Sequence, residues 1–89
     1  MAEVLADLVS GLPSFAPRDR EIFAHVIEGG GRYRDGDWLI CVRTDDAPEP
    51  GRGYLVRDGG RLCVRDGARL GEGDVVARVE AVVRQEAGL

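Results

Sequence analysis

The sequence predicts a mainly β protein, a small coiled sheet or partial barrel with one short N-terminal helix. Three observations predict it. From residue 21 onward, short apolar runs alternate with clusters of glycine, proline and aspartate. Two of these runs flank Asp58-Gly59-Gly60, a strong hairpin signal because two glycines tolerate positive φ. The last run carries Val75, Val76, Val79, Val82 and Val83, and valine favours strands.

A chain of 89 residues holds one domain and no more. Residues 1–20 read as an N-terminal helix and linker, and 21–89 as a single β-rich domain. The helix is expected over residues 2–12, where Val4, Leu5, Leu8, Val9 and Leu12 follow helical spacing. Glu3 and Asp7 lie toward its N-terminus, and Gly11 and Pro13 end it. Residues 13–20, with Pro13, Ser14 and Pro17, form the linker.

Strands follow in order. Glu21 to Glu28 holds Ile22, Phe23, Val26 and Ile27 before Gly29-Gly30-Gly31 breaks it. Trp38 to Arg43 is the next apolar run, and Asp45 to Gly53 is a proline- and glycine-containing loop. Tyr54 to Arg57 and Arg61 to Arg65 make the hairpin. After a glycine-rich turn from Asp66 to Gly73, Asp74 to Arg84 closes the domain and leaves a frayed tail, Gln85 to Leu89.

Composition narrows the function. Hydrophobic residues make up 44% and charged residues 31%, a globular balance rather than a disordered one. The formal net charge of −4 argues against nucleic-acid binding. The basic residues are all arginine and are interleaved with acids, as on a solvated surface. Without lysine there is no Schiff base, no Ser–Lys dyad and no biotin or lipoyl attachment. No segment approaches the length of a membrane span, and the acidic N-terminus lacks the basic start of a secretory signal, so a cytoplasmic protein is expected.

Candidate chemistry is sparse. Cys41 and Cys63 lie inside apolar runs and read as small buried hydrophobes, although a bridge between neighbouring strands is open to them. The glycines at 29–31 lack the spacing and the lysine of a phosphate loop. Asp35, Asp37, Asp45, Asp46 and Glu49 do not match a calcium loop, and Asp35-Gly36-Asp37 reads as a turn that opens a strand. Ser10 and Ser14 are the only serines and His25 the only histidine, so a residual hydrolase would have to use Ser14 with His25. No catalytic, cofactor or metal residue is assigned. The candidate partner-contact residues are Leu5, Leu8 and Leu12 on the helix, with Trp38 and Tyr54 near strand starts.

Two resemblances bear on these residues. Tyr33-Arg34-Asp35-Gly36-Asp37-Trp38-Leu39, Pro48 to Tyr54, Val56 to Val64 and Val75 to Arg84 follow one another in the order of boxes in the peptidase domain shared by LexA-type repressors and type I signal peptidases. The resemblance covers roughly two thirds of the chain and implies a coiled β fold that dimerises. The departures fall on the catalytic parts. The interval from Val26 to Arg34 contains no serine nucleophile, and Arg65 or its neighbours stand where the family has its general base. Arginine stays protonated and cannot take a proton from a nucleophile. Asp37 and Gly53 carry over as structural positions only. Residues 1–20 are not expected to form a helix-turn-helix. A shorter stretch, Gly67, Leu70, Gly73, Val76, Val79, Glu80 and Ala81, resembles the approach to the modified lysine of biotinyl and lipoyl carriers, with Val83 at the lysine position; the alternative fold is then a barrel-sandwich hybrid. The expectation is a non-catalytic protein-interaction or dimerisation module with a protein partner or a second copy of itself, and no cofactor.

Overall fold

The computed structural model describes residues 3–12 and 15–84. Six strands run in chain order: β1 (Val4–Val9), β2 (Glu21–Glu28), β3 (Trp38–Val42), β4 (Gly53–Asp58), β5 (Arg61–Asp66) and β6 (Asp74–Val83). They close into one antiparallel barrel in the order β1-β2-β3-β6-β4-β5. The mainly β expectation holds. The barrel is closed, where a coiled sheet or partial barrel was expected.

The N-terminal helix does not form; no helix occurs among the described residues. Val4–Val9 is a strand that pairs with β2 on one side and with β5 on the other. The pattern Val4, Leu5, Leu8, Val9 fits a helix, but Val4, Ala6 and Leu8 also alternate as a strand requires. Tertiary pairing decides between them. Without β1, the facing edges of β2 and β5 would each expose unpaired N–H and C=O groups. The expected strands from residue 21 onward all form, within a residue or so of their expected ends. The expected tail lies outside the described residues.

Alternation sorts the side chains into two cores. Val4 and Ala6 from β1, Ala24 and Val26 from β2, Leu39 and Cys41 from β3, Leu55 from β4, Val64 from β5 and Ala77 from β6 fill the barrel. Small residues dominate, as a narrow six-stranded barrel requires. On the outer side, Tyr54, Val56 and Cys63 form a second cluster, packed by Leu5 and Leu70. The β5–β6 loop lies across this cluster. At Gly67, an added Cβ would run into the Glu49 carbonyl and the Tyr54 ring, so only glycine lets the loop lie this close.

Turns and bulges set the closure. Gly59 and Gly60 both have positive φ, 60° and 82°, as a two-residue hairpin turn needs. Register shifts leave one extra residue in β2 at Ile27 and two in β6, at Val76 and Glu80. The bulges in β6 bend it so that its first half pairs with β4 and its second half with β3. No helix among the described residues is long and apolar enough to cross a membrane.

Gly67→Ala is expected to cost about 1–3 kcal/mol through overpacking of the β5–β6 loop on Tyr54. Urea unfolding checks this; a loss well under 1 kcal/mol would show that the loop is not held against the outer cluster.

Candidate functional site

The seam between β1 and β5 has two unlike halves. In the first, Val4 faces Val64 and Leu5 faces Cys63. Beside these pairs Arg65 on β5 donates from Nε to Glu3 Oε1 at 2.8 Å and from Nη2 to Asp58 Oδ2 at 2.9 Å. Its Nη2 also contacts Glu3, and its Nη1 donates to the Leu70 carbonyl at 2.8 Å. One guanidinium thus ties β1, the end of β4 and the β5–β6 loop together. Hydrogen bonds to Asp58 and Glu3 raise the Arg65 pKa, and the bond to Arg65 holds the Glu3 carboxyl below its usual range. Arg65 is thus a structural clamp.

In the second half the seam opens. β1 goes on pairing with β2 as far as Val9 opposite Phe23, but pairs with β5 no further than Leu5. The bulge at Ile27 in β2 falls at this point. Between them lies a cleft of about 330 Å³, lined by residues 5–8 of β1, Ile27, Arg57 and residues 60–62 at the hairpin. Leu8 and Ile27 are each 46% exposed. Among the described residues, no strand pairs with Ala6–Val9 on the side away from β2, and none pairs with Arg61 and Leu62 on the side away from β4.

A second feature lies on the outer face. Asp7, His25, Trp38 and Val83 stand opposite one another across β1, β2, β3 and β6. The His25 and Trp38 rings are 4.7 Å apart at 41°. A third feature is an open pocket of about 420 Å³ near the start of the seam, where Tyr33 packs over Gly53 beside Val4, Val64 and Arg65. Burial raises the Tyr33 pKa.

The five candidate contact residues divide. Leu8 lines the cleft, while Leu5 touches its inner end and packs in the outer cluster. Trp38 is half-buried on the outer face. Leu12 is buried and bridges to Phe15, so it anchors the chain after β1 rather than forming a helix face. Tyr54 is 2% exposed, and its hydroxyl accepts the Glu49 N–H at 2.8 Å, so it supports the fold from inside the outer cluster. Sequence reasoning missed Ile27, Arg57, Arg61 and Leu62. The adjacent apolar pair Val26-Ile27, which breaks strand alternation, was the available signal for a bulge.

The acids of the 35–49 region have separate tasks. Asp35 accepts the Gly29 N–H at 2.6 Å, Asp46 lies 3.7 Å from Arg78, and Glu49 pairs with Arg52. Asp37, 1% exposed, accepts the Arg34 N–H at 2.9 Å. It also takes two bonds from Arg84, Nε at 2.8 Å and Nη2 at 2.7 Å. This bidentate pair ties the end of β6 to the turn before β3 and holds the Asp37 carboxyl below its usual range. Cys41 and Cys63 are both buried and free. Burial pushes the Cys41 thiol up to about 12 and raises that of Cys63. His25 packs at a tilt against Trp38, while Ser14, its proposed hydrolytic partner, lies outside the described residues. No protein-family model, curated protein or solved structure matches the chain.

Three outcomes are expected. Removing Arg84 strands a buried carboxylate, so Arg84→Met should cost about 3 kcal/mol at neutral pH, and Asp37→Asn added to it should recover part of the loss. Because the folded pKa of Asp37 is depressed, its stabilisation is present above the unfolded value, near 4, and fades as pH falls through the folded value. Acid unfolding of Asp37→Asn should therefore be flatter in that window; an unchanged profile would remove the pair from the account. Neither thiol should react with a thiol reagent in the native protein at pH 8, and both should react in urea. Rapid native labelling would contradict the burial of both cysteines.

Proposed function

We propose that this domain is a non-catalytic protein-interaction module that binds a partner protein or a second copy of itself in the cytoplasm. The observation that carries the reading is the open half of the β1–β5 seam, where unpaired strand edges lie beside the exposed side chains of Leu8 and Ile27. Unpaired edges and exposed apolar side chains are costly for an isolated domain, and both are relieved by contact with another chain. The charged groups that could do chemistry are occupied instead in holding the barrel: Arg65 by Glu3 and Asp58, Asp37 by Arg84.

We further propose a degenerate relative of the LexA-type and signal-peptidase domain that keeps the scaffold and has lost the chemistry. The Asp35-Gly36-Asp37 turn leads into β3, Pro48 to Tyr54 runs into β4, and a β4–β5 hairpin and a final long strand follow. This order supports the reading. In such a domain Arg65 takes over the basic position as a clamp.

Selection of peptides from a display library on the intact domain tests the module reading. Leu8→Asp, a change at an exposed position, should leave stability within about 0.5 kcal/mol of the parent and lower the affinity for selected peptides at least about tenfold. Peptides that bind the variant equally well would overturn the reading. So would turnover of peptides, lost in Ser14→Ala, which would favour a residual serine peptidase.

A further inference from the structure

A strand inside a sheet pairs its N–H and C=O groups on both sides, whereas a strand beside a gap leaves both groups of every second residue unpaired by protein and open to solvent. Ala6–Val9 is such a stretch. Its β2 side is paired residue by residue, and its other side faces the cleft. Four residues at about 3.4 Å each give an edge of roughly 14 Å, long enough to hold three or four residues of an added strand. Across the cleft, Arg61 and Leu62 present the second open edge. The gap is therefore bounded by main chain on both sides, with apolar side chains at Leu8, Ile27 and Leu62.

The charge around the gap selects among occupants. Two arginines, Arg57 and Arg61, and one aspartate, Asp7, line it. Arg61 lies 3.5 Å from Glu3, whereas Arg57 makes no ion pair among the described residues. An incoming carboxylate fits beside Arg57 without displacing a partner. The gap is also a poor fit for a second barrel. The matching strand of another copy already carries β2 along its other edge, so it would bring a second sheet with it. A single extended segment brings no such neighbour.

Resting on the interaction-module reading, we propose that the cleft takes one extended peptide segment of a partner protein, which adds as a strand to the Ala6–Val9 edge and carries alternating apolar and acidic residues. Main-chain bonds hold it, Leu8, Ile27 and Leu62 receive its apolar side chains, and Arg57 pairs with a carboxylate.

The test uses the whole chain and the acetylated heptapeptide Val-Glu-Val-Glu-Val-Glu-Val, with binding read by fluorescence anisotropy and amide exchange by NMR. One-to-one binding is expected, with alternate amides within Ala6–Val9 slowed at least about tenfold. Replacing glutamate by lysine in the peptide, N-methylating one alternate set of its amides, or introducing Arg57→Glu should each weaken binding by about tenfold or more. Equal binding of the lysine peptide overturns the acidic preference. Binding with protection confined to the His25–Trp38 face overturns strand addition and leaves the module reading standing. Self-association that protects Ala6–Val9, without peptide binding, overturns the peptide occupant in favour of a second copy. Neither peptide binding nor self-association overturns both readings.

Discussion

Closure of this barrel depends on β1, which joins β2 to β5 through only two residue pairs on the β5 side, Val4–Val64 and Leu5–Cys63. So short a ladder contributes few main-chain bonds. It is reinforced by Arg65, whose guanidinium reaches Glu3 on one side of the seam and Asp58 and the Leu70 carbonyl on the other. The outer cluster of Tyr54, Val56 and Cys63 packs against Leu5 at the same place. Hydrophobic burial and a partly buried ion network therefore act on one seam. The rest of the sheet is paired by longer ladders that need no such support.

The same seam explains where an unpaired strand edge lies. A barrel this narrow must bend its strands sharply, and the bulges at Ile27, Val76 and Glu80 provide the bends. Those in β6 let one strand serve two neighbours in succession. The one opposite Leu5 and Ala6 has the opposite consequence, because beyond it β1 follows β2 and leaves β5. Clamp and cleft are two ends of one geometric compromise, with Arg65 near the first and Arg57 at the second.

Charge in this protein is used mainly for position. Asp37 is buried where β3 begins, and Arg84 from the end of β6 reaches it with a two-point grip. Asp66 accepts the N–H groups of Gly51 and Ala68, which hold its carboxyl below the usual range and fasten the loop before β4 to the loop after β5. The Asp37–Arg84 pair and the Asp66–Gly51 bond link segments well separated in the chain, which is how a domain with little apolar volume holds its loops in place.

The strands β2 to β6 were legible in the sequence because each is a short apolar run bounded by turn residues. The hairpin was legible because only glycine sits easily in its two positive-φ positions. The burial of Cys41 and Cys63 also followed from their apolar neighbours. The strand character of β1 was not legible, since Val4, Leu5, Leu8 and Val9 satisfy a helical face as well as a strand, and local preference favoured the helix. Nor was the cleft, whose lining comes from β1, β2 and the β4–β5 hairpin. Of the contact residues expected from sequence, Leu5 and Leu8 line it, while Tyr54 and Leu12 are buried. Local side-chain preference acts over a few residues and decides which runs become strands. The role of β1, the closure and the open edge depend on pairing between residues up to some sixty positions apart, where unmet backbone groups on β2 and β5 outweigh the local preference of one short segment.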